Sequence, residues 1–145
     1  MRLPWYFSSR ATQGFSLIEL LVAVAIISIL AIIALPDFAT YRHKSVVAAV
    51  LGTAGDIRAG LAGYASDSSN RQFPLTADIG GWEALRTIVN THGGSLKYTS
   101  AAMGIQTISY TSEDGATYLL QIIVNVPEGV VGRTVSVTPE SIVKQ

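Results

Sequence analysis

No cysteine occurs anywhere in these 145 residues. The chain therefore has no disulfide to staple a small domain, no thiolate nucleophile and no thiolate metal site. Histidine is nearly as scarce. His43 sits between Arg42 and Lys44, and His92 precedes Gly93-Gly94; isolated imidazoles in such settings read as surface residues rather than ligands. Neither sign of charge is in excess, with 10 basic and 10 acidic residues, so there is no electrostatic footprint for nucleic acid. Catalytic signatures are missing too: no Gly-x-Ser-x-Gly elbow, no phosphate loop, no His-Glu-x-x-His helix. The carboxylates Asp67, Asp78, Glu113, Asp114 and Glu128 lack the spacing of a calcium loop. No catalytic residue, metal site or cofactor is expected.

What the chain has in plenty is apolar surface, and it is concentrated near the N-terminus. Phe15 to Leu35 is a run of 21 residues interrupted only by Ser16, Glu19 and Ser28. As a helix it measures about 32 Å, enough to cross a hydrocarbon core. Glu19 is the one charge in it. An ionisable group in such a segment is costly and is usually tied to a function or a partner. Two readings stand: an acid in the first turn, favoured by the helix dipole, or a carboxylate paired with a cation inside an assembly. A polar leader with Arg2, Ser8, Ser9, Arg10, Thr12 and Gln13 lies in front of the run. A conventional secretory signal is cut after its apolar core, which is then discarded. A cut at Gly14 would keep the core and hold the product in the membrane.

The stretch Gly14-Phe15-Ser16-Leu17-Ile18-Glu19, opening an apolar segment, resembles the class III signal of type IV pilins and pseudopilins. The resemblance implies that a prepilin peptidase cuts between Gly14 and Phe15 and N-methylates Phe15. Losing Arg2 and Arg10 would leave 8 basic and 10 acidic residues, a net of −2. It further implies that Glu19 meets the amine of a neighbouring subunit's Phe15. Pro36 stands where many type IV pilins carry a proline that bends or locally melts the helix. The implied partners are further copies in a helical filament, other pilins, the peptidase, an inner-membrane platform protein and an assembly ATPase. The implied route starts in the inner membrane, N-terminus in and head out, and ends in an extracellular pilus. Flanking charge does not settle that orientation, since Arg2 and Arg10 precede the span while Arg42 and Lys44 follow it at short distance. Many type IV pilins close their C-terminal region with a disulfide; this chain has none.

The runner-up is a pseudopilin of type II secretion, or a minor pilin. Phe73-Pro74 and Trp82-Glu83-Ala84-Leu85 are loosely similar to a stretch of major pseudopilins, but nothing here matches their calcium site. A membrane-tethered enzyme with an uncleaved anchor lacks a catalytic constellation.

The rest divides into a leader (1–14), an assembly helix (15–35) and a head (36–145). Within the head, 36–65 reads as the amphipathic half of one long helix. Val47, Val50, Ala54, Ile57, Leu61 and Tyr64 form a stripe at 3-4 spacing that should pack on a sheet. Ala48, Gly52, Gly55, Ala59 and Ala62 line the other side. Interior glycines cost about 1 kcal/mol each against alanine, so this face invites close approach of a neighbouring helix. Residues 66–81 read as a loop, and Trp82 to Asn90 as a short helix stopped by Gly93-Gly94. Phe38 and Tyr41 read as ordinary packing residues. A β-meander is expected over about 104–138, with a hairpin at Asp114-Gly115 and a turn at Pro127-Glu128-Gly129. In its second strand Tyr118, Leu120, Ile122, Val124 and Val126 alternate onto one face. The fold class is α+β, a long helix on a small antiparallel sheet, as the resemblance also implies.

Overall fold

The computed structural model describes residues 14–145. The expected leader therefore lies outside the described residues except for Gly14. The chain divides into two units, Met1–Ala39 and Thr40–Gln145. Helix α1, Leu17–Asp67, belongs to both and is 51 residues long. It runs through Pro36 without a break: a proline deletes one rung of the hydrogen-bond ladder, and the neighbouring rungs hold. It ends at Asp67 rather than Ala65, because Ser68 N–H still bonds the Tyr64 carbonyl.

In the first unit the described residues form helix with no covering layer. From Phe15 to Leu35 every side chain is exposed except the half-buried Ala31. The Ser28 hydroxyl donates to the Val24 carbonyl at 2.7 Å, which satisfies it within its own helix.

In the second unit the stripe of α1 does what its spacing predicts. Val47, Val50, Ala54, Ile57 and Leu61 are buried, while Tyr64 is half-buried. The five buried residues share one core with Trp82, Leu85 and Val89 of helix α2 (Trp82–Thr91) and with the inward residues of a four-stranded sheet. The strands are β1 (Ile105–Thr111), β2 (Leu119–Val124), β3 (Thr134–Val137) and β4 (Ile142–Lys144), paired antiparallel in chain order. Tyr118, Leu120, Ile122, Val124 and Val126 are all buried. The sheet is thus a meander packed on α1.

Three details depart from expectation. A fourth strand, β4, follows the meander and pairs Val143 with Ser136. The hairpin expected at Asp114-Gly115 forms between β1 and β2, but its connection is long, spanning residues 112–118. That loop is held from outside: Phe73 N–H donates to the Gly115 carbonyl at 2.7 Å. Thr76 and Ser112 also exchange hydrogen bonds, Ser112 N–H donating to Thr76 Oγ1 at 2.8 Å and Thr76 Oγ1 to the Ser112 carbonyl at 2.8 Å. The 66–81 loop, which includes a 3-10 turn at Thr76–Asp78, is therefore stitched to the sheet. Its Pro74 and Ile79 are buried.

Candidate assembly helix and helix-packing face

The candidate processing site sits where α1 begins. Gly14, Phe15 and Ser16 are outside the helix, and Phe15 is 91% exposed. A Cβ built at Gly14 would meet nothing within 4 Å. Ser16 occupies the N-cap position, with its carbonyl accepting the first helical bond from Leu20 N–H at 3.2 Å. Glu19 reaches back so that its Oε2 accepts the Ser16 N–H at 2.8 Å. This is the acidic half of a capping box, Ser-x-x-Glu, and it satisfies one of the orphan donors at a helix start. The spacing of Ser16 and Glu19 announced this pair, yet sequence reasoning treated Glu19 alone. The carboxylate stays exposed. Around it Ile18, Val22, Ala23 and Ile26 make an apolar surface on the same helix face.

On the second unit the small-residue face is open. Ala48, Gly52, Gly55, Ala59 and Ala62 are all exposed. A Cβ at Gly52 or Gly55 would meet nothing within 4 Å. Close backbone approach happens at two glycines the sequence reading passed over. A Cβ at Gly60 would lie 2.8 Å from Val89 Cα and 2.9 Å from its carbonyl oxygen, and one at Gly63 would collide with the His92 carbonyl oxygen. Gly60 and Gly63 thus let α2 lie directly on α1. The signal was there as small residues at i and i+3, but only the position of α2 shows which pair is used.

Other titratable groups lie within or between the elements of the second unit. His92 Nδ1 lies 2.7 Å from Asp67 Oδ2, joining the ends of α1 and α2. Its ring meets Tyr64 edge-on at 5.0 Å. Burial raises the Tyr110 hydroxyl well above its usual range and pushes Tyr118 up to about 12. Tyr110 donates to the Pro74 carbonyl at 2.7 Å, whereas the buried Tyr118 hydroxyl has no hydrogen-bond partner among the described residues. Among the described residues no group of His, Asp or Glu is placed to hold a metal ion.

Residues 9–35 match the family described as the prokaryotic N-terminal methylation motif. The chain is similar to the fimbrial protein EcpC of Eikenella corrodens, with 30% identity over 122 residues, covering 74% of this chain and 80% of EcpC. It is 45% identical over 49 residues to the type IV major fimbrial protein FimA of Dichelobacter nodosus, covering 34% of this chain and 31% of FimA. Fimbrial protein Q of Moraxella bovis is 51% identical over 43 residues, covering 30% of this chain and 27% of that protein. No solved structure gives a significant match. The chain belongs to the type IV pilin family. Its relatives are structural subunits, and it is not an enzyme.

Proposed function

We propose that this chain is the structural subunit of a type IV pilus, held in the inner membrane as a precursor and polymerised through the helix that starts at Phe15. The observation that carries the reading is the exposed apolar surface from Phe15 to Leu35 with Glu19 as its only charge. Burying each large aliphatic side chain is worth about 1.5–3 kcal/mol. A segment that leaves so many exposed requires a bilayer first and other helices afterwards. Among the described residues one helix is long and apolar enough to cross a membrane by length and composition.

Processing follows the same logic. A prepilin peptidase cuts between Gly14 and Phe15 and methylates the new amine; both residues are exposed and outside the helix, which supports access to that bond. Cutting creates a cation on Phe15, one residue before the Ser16 that Glu19 caps. In the filament the Glu19 carboxylate pairs with the Phe15 amine of a neighbour, because an unpaired charge among apolar helices is strongly disfavoured. Pro36, lacking one rung of the ladder, is where the helix can yield as subunits pack. The open face of Ala48, Gly52, Gly55, Ala59 and Ala62 receives helices of neighbouring subunits. A platform protein and an assembly ATPase drive the extraction, and the head faces away from the cytoplasm throughout.

The test is mass spectrometry of filaments sheared from the source cells. This chain in bulk, beginning at N-methylated Phe15, is the expected result. The same mature N-terminus found only in the membrane fraction would indicate a pseudopilin or minor pilin instead. A chain that keeps Met1 to Gly14 in the presence of active peptidase would sink the processing reading.

A further inference from the structure

The second unit, Thr40–Gln145, carries 8 basic and 8 acidic residues, but the fold sorts its charges by end. At the end where its part of α1 begins, Gly132 packs against Val47 and Gly104 against Val46. The Gln145 carbonyl there accepts from Gly132 N–H at 2.8 Å. These contacts bring Tyr41, Arg42 and Lys44 to the same end as Val131, Arg133 and Lys144. Glu128 is the acid that the second unit brings to this group, and it is paired with Arg133 at 2.9 Å; the exposed Asp37, four residues before Tyr41, belongs to the first unit. The Arg133 guanidinium holds the Glu128 carboxyl below its usual value. Arg42, Lys44 and Lys144 remain, on exposed positions. Tyr41 and Val131 are each 71% exposed beside them, and Lys44 Nζ sits 5.9 Å above the Tyr41 ring.

The opposite end is acidic. Gln72 Nε2 donates to the Asp114 carbonyl at 3.0 Å, and the Leu75 N–H donates to Asp78 Oδ2 at 2.9 Å. Asp67, Asp78, Glu113 and Asp114 therefore gather at the far end with Arg71.

The basic end is also the end tied to the span. Tyr41 follows Leu35 by six residues, and six residues reach at most about 21 Å in any conformation. Whatever the arrangement of the two units, this end stays close to the bilayer surface while Phe15–Leu35 is inserted. Amphipathic aromatics and basic side chains are the groups that favour a headgroup layer, and each Lys or Arg gains when the surface is anionic.

We propose that the basic end of the head, Arg42, Lys44 and Lys144 with Tyr41 and Val131, is a docking surface for acidic phospholipid headgroups of the outer leaflet, seating the head on the membrane before assembly. This rests on the reading of Phe15–Leu35 as a membrane anchor. It also gives Arg42 and Lys44, which confuse the orientation count, a partner on the far side of the membrane.

The absence of native cysteine makes the test direct. Full-length chain carrying a spin label at Ala101→Cys, on the loop beside Gly104, is reconstituted in phosphatidylcholine vesicles with or without phosphatidylglycerol. Phosphatidylglycerol is expected to shield this label from a water-soluble relaxation agent. The shielding should be reversed by raised salt and should weaken about fivefold per charge in Arg42→Gln, Lys44→Gln and Lys144→Gln. A label at Glu113→Cys should be indifferent to the lipid. Vesicle flotation separates the two readings. A chain that floats in both lipids with Ala101 equally accessible overturns the docking surface alone. A chain that floats with neither overturns the anchor and the docking surface together.

Discussion

Glu19 shows how one carboxylate can answer two readings. As the third residue of α1 it accepts the Ser16 N–H at 2.8 Å, a capping contact worth about 1 kcal/mol. The amine that it is proposed to meet in a filament belongs to the residue just before that cap. Both uses need an acceptor, but only one needs a negative charge, so the two separate by substitution. Glu19→Gln keeps an oxygen for Ser16 and loses the charge, whereas Glu19→Ala loses both. Filament yield by shearing should collapse in both variants. Normal filaments from the Gln variant would mean that the cap is the residue's whole contribution. The two buried tyrosines separate similarly. Tyr110→Phe removes the 2.7 Å bond to the Pro74 carbonyl and should cost about 1 kcal/mol. Tyr118→Phe removes a hydroxyl that has no hydrogen-bond partner among the described residues and should be neutral or stabilising. Denaturant unfolding of the full chain in detergent measures both. Tyr118, raised from 10 to about 12 by burial, also ties stability to pH. The unfolded chain loses this proton near 10 and the folded chain near 12, so the stability is complete below pH 10 and drains away between those values.

At the scale of elements, the sequence was most legible where periodicity is strong. The stripe from Val47 to Leu61 and the alternation from Tyr118 to Val126 were readable because each side chain's fate follows from its own spacing. The short β4 was not: Ile142–Lys144 is three residues long and too short to establish a period. What holds the 112–118 loop was not legible for a different reason. Its conformation is held by Phe73 and Thr76, far away in sequence, and not by Asp114-Gly115 alone. The glycines of α1 combine both lessons. Sequence marks them as small, but only the contacts divide them into Gly60 and Gly63 under α2 and Gly52 and Gly55 facing outward. Alanine should therefore act with opposite signs. Gly60→Ala forces a methyl against the Val89 backbone and is expected to destabilise by about 1–3 kcal/mol. Gly52→Ala or Gly55→Ala should stabilise by up to about 1 kcal/mol, since helix propensity improves and nothing is struck. Thermal unfolding of the four single variants, Gly63→Ala included, decides this; a destabilised Gly55→Ala would mean that the outer face is already in use within the monomer.

For the whole molecule, the local motif and the overall architecture were visible in sequence, while the relation among distant charges was not. Gly14-Phe15 with Glu19 is contiguous, so its pattern survives without a fold. The separation of Arg42, Lys44 and Lys144 from Asp67, Glu113 and Asp114 exists only once the sheet has folded back along α1. Assembly, too, belongs to this scale, because the proposed packing face is exposed in the monomer and its use can be read only from other copies. Gly52→Leu and Ala59→Leu place bulk on positions that are exposed in the head, so the unfolding midpoint should move little. If neighbouring helices approach this face closely, the same bulk holds them apart, and sheared filaments should be lost while processed subunit accumulates in the membrane. The comparison must be made in one strain background, with mature N-termini confirmed, so that a processing defect is not counted as an assembly defect. Filaments of normal yield from both variants would assign the small residues to an uncontacted surface. Loss of filaments with an unchanged unfolding midpoint would place the subunit contact on the open side of α1, opposite the stripe that holds the head together.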